Sequence, residues 1–273
     1  MSKRGAGGSI SARYLERIGV RDTPRATCPF DPGYDLPTLE GHMEQSGHLM
    51  GSVKISMACW MVAAESVSRR KIDAVTRLGI PAVAGGGPFE VAVAQRALPA
   101  YLHLCADMGI TRIECGEGFT ELDLRPEEIV NEAREHGLEV EFELGEKHAG
   151  RFTDETTDEL IADGGRWLEA GAVRLVVEAR ESAEDVGLFS APGEFDARQA
   201  DRLAEAFGLE RLLFEAPNKT SQFALIDHFG PSVQLGNVRL EEVLRVEIYR
   251  RGLHSDAFRH SNLRPRPPAD ADA

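Results

Sequence analysis

Short apolar or β-rich runs recur along the chain at a nearly constant interval. Eight of them can be recognised, centred near positions 28, 54, 82, 113, 141, 175, 213 and 234, so neighbouring runs are about 29 residues apart. A strand, its helix and the return to a parallel strand need roughly 30 residues. The pattern therefore predicts eight strands joined by repeated crossover connections.

Helical patterns fill the gaps between these runs, and four of them stop just before a glycine. These four segments are 66–78 before Gly79, 125–136 before Gly137, 153–170 before Gly171 and 239–251 before Gly252. Glycine is the residue that most readily adopts the left-handed conformation at a helix end. Strands and helices are therefore predicted to alternate through the whole chain.

Eight alternating units fit either a closed (β/α)8 TIM barrel or an open doubly wound sheet. No GxGxxG motif follows the first strand, which removes the main support for a dinucleotide-binding sheet. A single barrel takes about 250 residues, close to the 273 present here. We predict an α/β single-domain barrel over 11–261, with mobile segments at 1–10 and 262–273.

Composition and charge narrow the class of protein. The chain is 42% hydrophobic, enough for a core, and 45 acidic against 31 basic residues give a net charge of −14. Such a surface disfavours nucleic acid and anionic membranes as partners. The longest apolar run, 57–64, is too short for a membrane span, and no secretory signal or CxxC pair is present. A cytoplasmic protein is expected.

Lysines are scarce and fall at suggestive places. The chain has five lysines and 26 arginines, and Lys54, Lys147 and Lys219 lie in or just after predicted strands. A lysine can hold phosphate as a point charge, and its pKa shifts readily on burial. The alternative is that these are ordinary surface lysines.

Four glutamates end or interrupt apolar runs at equivalent places: Glu114, Glu143, Glu178 and Glu215. A carboxylate at the end of a buried strand is costly unless it is paired or bound to a cation. Converging on the mouth of a barrel, these four would provide an oxygen-rich site for Mg²⁺. The alternative is that each pairs with a neighbouring arginine.

Two glycine-containing turns could bind an anion. GGGPFE follows the third strand, so the N–H groups of Gly86 and Gly87 could point to an oxyanion. Asn237 belongs to LGN, which is expected to follow the eighth strand, near where many barrels bind phosphate. No HxH or HExxH spacing supports a zinc site, and His148 is only a candidate accessory acid beside Lys147.

The carboxyl half carries long motifs that resemble the phosphosulfolactate synthase family. These motifs are VVEARES, LLFEAPNKTSQ, FGPSVQLGNV and EIYRRGLHSDAF, and the resemblance is dense over 137–258. The resemblance implies a (β/α)8 barrel and the Mg²⁺-dependent addition of sulfite to phosphoenolpyruvate, a step toward coenzyme M. Both anions would then be the partners, and association into a homo-oligomer remains open.

The resemblance also implies roles for particular residues. Lys147, in ELGEK, falls on the position of the proposed catalytic lysine of the family. Lys54, Arg180, Lys219 and Arg251 become candidates to bind phosphate, carboxylate or sulfite. The four glutamates remain candidates to bind the metal or to position these cations.

The amino half departs from the family pattern. An Asp-Lys-Gly motif becomes Asp31-Pro32-Gly33, Gly-Trp-Gly-Thr becomes SMAC at 56–59, a threonine is replaced by Gly87, and a lysine by Glu146. These changes leave two alternatives beside sulfite addition. One is a divergent enzyme for another small phosphorylated or carboxylated substrate. The other is a non-catalytic protective protein, since plant heat-stress-associated proteins share the resemblance.

Overall fold

The fold is a closed barrel of eight parallel strands in sequence order. The structure is a computed structural model that describes residues 9–118, 122–146, 150–180, 182–191, 193–260 and 262–266. The strands are β1 (Thr27–Asp31), β2 (Val53–Ile55), β3 (Ala82–Ala84), β4 (Arg112–Cys115), β5 (Glu139–Leu144), β6 (Arg174–Val177), β7 (Leu212–Glu215) and β8 (Gln234–Arg239). Each predicted run contains or adjoins one strand, so the barrel prediction is confirmed.

Helices follow the strands and cover the outside of the barrel. They are α1 (Ile10–Arg17), α2 (Leu36–Ser46), α3 (Cys59–Val62), α4 (Glu65–Thr76), α5 (Gly86–Ala94), α6 (Leu98–Met108), α7 (Pro126–Glu135), α8 (Asp154–Ala170), α9 (Ala197–Phe207), α10 (Lys219–Phe229) and α11 (Val243–Arg250). Three of the four segments marked in the sequence match α4, α7 and α8 within two residues. The fourth was placed too early, because Arg239 pairs with Phe30 as the end of β8.

The ends of α8 show why the sequence pattern was readable. Thr153 precedes the helix, and its side chain accepts a hydrogen bond from the Thr156 N–H. At the other end Gly171 adopts φ +109°, the left-handed conformation that closes a helix. Both caps use residues whose preference is local, so they can be predicted without the tertiary structure.

The core has two parts. The larger one fills the layer between barrel and helices, where Phe142 of β5 stacks on Trp167 of α8 with ring centroids 4.4 Å apart. A small cluster of Cys28, Val176 and Leu213 fills the barrel interior. Side chains alternate along a strand, so the interior-facing positions are every second residue. The interior above and below this cluster is polar.

The chain segments outside the barrel are short. Helix α1 begins at Ile10, and Ser9 caps it by accepting a hydrogen bond from the Ala12 N–H. Residues 1–8 and 267–273 fall outside the described part of the chain, so their predicted mobility stays a prediction. In the described segments, no helix combines the length and hydropathy needed to cross a lipid bilayer.

Candidate active site at the carboxyl ends of the strands

A cavity of about 720 Å³ opens at the carboxyl ends of the strands. Its polar floor is formed by strand-end side chains that the sequence analysis had selected. They are Lys54, Glu114, Glu143, Glu178, Glu215 and Asn237, with Arg180 on the wall. In a (β/α)8 barrel the active site lies at this end. The barrel thus brings together residues that are up to 183 positions apart in the sequence, from Lys54 to Asn237.

Lys54 lies at the centre of this floor. Its Nζ donates to Glu114 Oε2 and to Glu215 Oε1, each over 3.0 Å. Only 14% of the Lys54 side chain is exposed, and the two glutamates are almost fully buried. The ammonium therefore joins β2 to β4 and β7 across the barrel mouth.

The floor holds more negative than positive charge, and this raises the pKa of groups of both signs. Burial by itself would lower the pKa of the Lys54 ammonium, but Glu114, Glu215 and Glu143 outweigh burial and raise it well above its ordinary value. Burial raises the pKa of the Glu114 carboxyl, Lys54 opposes this rise, Glu141 and Glu215 add to it, and the pKa stays above its ordinary value. Lys54 is thus a permanent cation.

Three of the four predicted metal ligands form one cluster. Single carboxylate oxygens of Glu114, Glu143 and Glu215 lie within 4.8 Å of one another. Three carboxylates and the Lys54 ammonium together carry a charge of −2, which one divalent cation would balance. Magnesium prefers oxygen ligands, and one or two carboxylates suffice when substrate oxygens complete its shell.

Asn237 supplies a further oxygen beside this cluster. Its Nδ2 donates to Glu215 Oε1, which fixes the direction of the amide. Its Oδ1 is buried and makes no hydrogen bond with the described part of the chain. Buried acceptors normally have a partner. An amide oxygen and three carboxylates match the donor set of a divalent metal, so the residues present fit Mg²⁺.

The fourth glutamate of the floor, Glu178, does not belong to this cluster of three. One of its carboxylate oxygens accepts a hydrogen bond from the Arg180 N–H. Arg180 has φ +57°, and its side chain lines the cavity. Within the described residues no carboxylate pairs with its guanidinium, which suits a group that binds an anionic ligand.

The glycine turn after β3 contributes differently from the prediction. Helix α5 begins at Gly86, whose N–H donates to Glu114 Oε1 over 2.9 Å. This N–H therefore holds a carboxylate of the protein, where the sequence suggested a bound anion. Gly87, the next residue, does line the cavity.

Two predicted binding residues lie away from the cavity. Lys219 Nζ contacts Asp256 Oδ2 at 2.9 Å, and the lysine side chain is half exposed on the outside of the barrel. Arg251 follows α11 at the amino end of the barrel, where its guanidinium pairs with Glu247. A helix after a strand runs back to the opposite end, so the last residues of α11 cannot reach the mouth. Neither residue lines the cavity.

The predicted catalytic lysine cannot be placed. Lys147 and its neighbour His148 lie outside the described residues, between Glu146 and Gly150. Their roles therefore remain predictions. In the sequence they follow β5, the strand that ends just beyond Glu143.

Sequence reasoning missed a polar layer beneath the site. Glu141 lies two residues before Glu143 on β5 and accepts from Arg174 Nε over 2.7 Å and from Arg112 Nη1 over 3.4 Å. Arg174 Nη2 also donates to Ser52 Oγ over 3.0 Å. The alternation of Glu139, Glu141 and Glu143 was the available signal, because strand residues two apart share a face.

Backbone strain is concentrated at the same cavity. Three non-glycine residues that line it have positive φ angles: Met57 at +50°, Arg180 at +57° and Asn237 at +50°. Such conformations cost energy and often occur at functional sites, where they direct side chains. Here the three residues lie around the barrel mouth, in or just after three different strands.

Comparison with known proteins agrees with this geometry. The family model for (2R)-phospho-3-sulfolactate synthase (ComA) matches residues 22–256. Phosphosulfolactate synthase of Methanocaldococcus jannaschii is 30% identical over 233 residues, which cover 85% of this chain and 93% of that protein. The synthase of Methanothermobacter thermautotrophicus is 26% identical, over 87% and 92% of the two chains.

A solved structure supports the fold alone. Leishmania donovani UMP synthase superposes with a TM-score of 0.54 at 15% identity, over 88% of this chain and 55% of that chain. The family match is a match of sequence, and it spans every strand of the barrel and all the residues of the polar floor. With a catalytic-type cavity and this match, the chain is an enzyme that belongs to the phosphosulfolactate synthase family.

Proposed function

We propose that this enzyme adds sulfite to phosphoenolpyruvate in the presence of Mg²⁺ and releases phosphosulfolactate. The observation that carries the proposal is the floor of the cavity, where Glu114, Glu143 and Glu215 surround the Lys54 ammonium. Family membership supplies the reaction class, and the donor set supports the metal.

The reaction balances without an oxidant or a leaving group. The sulfur lone pair of sulfite forms a bond to C3, and the C2–C3 π electrons move toward C2 and its carboxylate. A proton then adds at C2, and the phosphate ester stays intact. The metal, when bound, withdraws electron density from the carboxylate as negative charge builds there.

The residues of the chain would bind and orient two anions that repel each other. Arg180 would bind the phosphate or the carboxylate, because this residue lines the cavity and its guanidinium has no acidic partner among the described residues. Asn237 and the three clustered glutamates would hold the metal. Lys147 would deliver the proton to C2, as the family resemblance implies.

The test uses the purified protein with Mg²⁺, phosphoenolpyruvate and sulfite, and measures phosphosulfolactate by mass spectrometry. We expect a product that disappears without metal and in Lys147→Ala. Lys147→Arg is the sharper variant, because arginine keeps the charge but does not give up its proton. It should bind both anions and remain inactive.

Two results would contradict the proposal. A folded protein that forms no product at saturating sulfite would exclude this reaction. Undiminished turnover in Lys147→Arg would remove Lys147 as the proton donor and leave the reaction class intact.

A further inference from the structure

The cavity has an apolar part that addition of sulfite to phosphoenolpyruvate does not use. It extends from the polar floor between the segment after β2 and helices α5 and α6. We call it the apolar arm, and its lining residues are Met57, Met61, Val91, Ala100, Tyr101 and Leu104. The arm and the polar floor belong to one continuous cavity.

The arm concentrates large apolar side chains that face solvent. Met57 and Val91 are each 54% exposed, Met61 is 40% exposed and Leu104 is 38% exposed. Single exposed apolar residues are ordinary on protein surfaces. Several that line one groove, beside a charged floor, are typical of a ligand-binding cleft.

Tyr101 is the buried member of the lining of the arm. Its side chain lines the cavity and is only 4% exposed. Its hydroxyl lies beside the Cys105 thiol but has no hydrogen-bond partner of normal geometry in the described part of the chain. The hydroxyl is buried on the side of Cys105, Cys115 and Glu114, so Tyr101 offers no polar group to the arm.

Phosphoenolpyruvate is too small and too polar to use this surface. A volume of about 720 Å³ lies in the range of roughly 300–1,000 Å³ found for sites that hold drug-sized ligands. Phosphoenolpyruvate is a three-carbon acid whose phosphate and carboxylate belong on the polar floor. Its C3 carries the only hydrogens that can be replaced while both anionic groups are kept.

We propose that the apolar arm binds a hydrophobic substituent on C3 of the acceptor, so that the preferred acceptors are C3-substituted phosphoenol acids. The inference rests on the proposed function and names the substrate class of the same site. The reaction is unchanged in its balance: a C–S bond forms at C3, a proton adds at C2, and the substituent remains on C3. No further reactant is needed.

The first test measures binding without turnover. We would compare 2-phospholactate with 2-phospho-3-phenyllactate by calorimetry, because neither has the double bond that reacts. Burying an aromatic ring contributes about 1.5–3 kcal/mol, so the phenyl compound should bind at least about tenfold more tightly. Equal affinities would overturn the proposal.

Matched variants test whether the tighter binding of the phenyl compound depends on the apolar arm. Ala100→Trp narrows the arm from an exposed position on α6, and we expect it to abolish most of the preference for the phenyl compound. Met61→Gln keeps the side-chain length, makes the arm polar and should also reduce the preference. Ala94→Trp, exposed on α5 and outside the cavity lining, should leave it unchanged. A preference that survives Ala100→Trp and Met61→Gln would contradict the proposal.

Turnover separates this proposal from the proposed function. If the enzyme converts phosphoenolpyruvate but shows no preference for the phenyl compound in binding or rate, the sulfite reaction is supported and the proposal for the apolar arm is wrong. A phenyl preference lost in Ala100→Trp, with no conversion of either phosphoenol acid, would support the arm and overturn the reaction.

A second copy of the chain could instead cover the arm. Ala100→Trp would then lower the oligomeric mass in sedimentation while both compounds bind equally, which also overturns the proposal.

Discussion

Arg174 Nε donates to Glu141 Oε2 over 2.7 Å inside the barrel, directly below the floor of the active site. Both side chains are buried, so each charge depends on the other. The Arg174 and Arg112 guanidinium groups outweigh burial and lower the pKa of the Glu141 carboxyl. This layer holds β4, β5 and β6 in register where Glu114 and Glu143 emerge from the same strands.

The first prediction concerns this pair. Arg174→Met should lower the free energy of unfolding by about 3–5 kcal/mol, because it leaves a carboxylate buried with only the more distant Arg112. The double variant Glu141→Gln/Arg174→Met should recover a large part of that loss, since no buried charge then lacks a partner. Urea unfolding measures both. A double variant no more stable than Arg174→Met would show that packing, rather than charge, dominates.

The second prediction concerns competition between Lys54 and a metal. Lys54→Met should be destabilised by about 3 kcal/mol, because Glu114 and Glu215 lose their buried counter-ion. Added Mg²⁺ should raise its melting temperature more than that of the wild type, since the ammonium no longer shares the carboxylate oxygens.

Lys71→Met is the matched control for this test. Lys71 also forms a buried pair, with Asp31 at 2.8 Å, but lies away from the glutamate cluster. It should be destabilised, while its response to Mg²⁺ should equal that of the wild type. Equal responses in Lys54→Met and Lys71→Met would argue against a metal at the floor.

The third prediction tests the metal ligands by binding alone. Glu215→Gln keeps the size of the side chain and removes one of the three clustered charges. Its affinity for Mg²⁺, measured by calorimetry without substrate, should fall about tenfold or more. Glu205→Gln, exposed on α9, is the control and should bind like the wild type. Unchanged affinity in Glu215→Gln would exclude this carboxylate as a ligand.

The fourth prediction separates the charge of Arg180 from its backbone conformation. Both Arg180→Ala and Arg180→Gly remove the guanidinium from the cavity wall, so both should raise KM for phosphoenolpyruvate about tenfold or more. Arg180 has φ +57°, which glycine adopts without strain. Arg180→Gly should therefore be the more stable of the two by about 1 kcal/mol.

The control for this test is Arg70→Ala, on the exposed face of α4, where the arginine only approaches Glu40 at 3.7 Å. Its KM should match the wild type. If Arg180→Ala has a normal KM for phosphoenolpyruvate, then Arg180 binds neither its phosphate nor its carboxylate, and other residues must do so.

Several departures from the family pattern meet on one surface. Met57 and Ala58, from the altered SMAC segment, and Gly87, in place of a threonine, all line the cavity. The change after β1 has a different outcome, because Asp31 there accepts from Lys71 of α4. The altered positions thus change the wall of the cavity and leave the glutamates of the floor in place.

The sequence was informative about the site where a local pattern repeats. Glu114, Glu143, Glu178 and Glu215 were selected because each ends or interrupts an apolar run, and all four line the cavity. Lys219 was selected as a scarce lysine near a predicted strand end, and Arg251 from motif resemblance, and neither observation gives the direction of a side chain. Lys219 contacts Asp256 on the outside of the barrel, and Arg251 lies at its opposite end.

By itself the sequence determined the eight-stranded barrel, its helix caps and the edge at which its charged residues gather. These properties follow from periodicity, glycine conformation and the shared direction of parallel strands, which are local or depend only on chain order. Only the tertiary structure decided that Lys54 lies between Glu114 and Glu215, that Gly86 donates to a carboxylate, and that an apolar arm continues the cavity. Those contacts join strands far apart in the chain, and their geometry depends on barrel closure and strand register, which no single segment encodes.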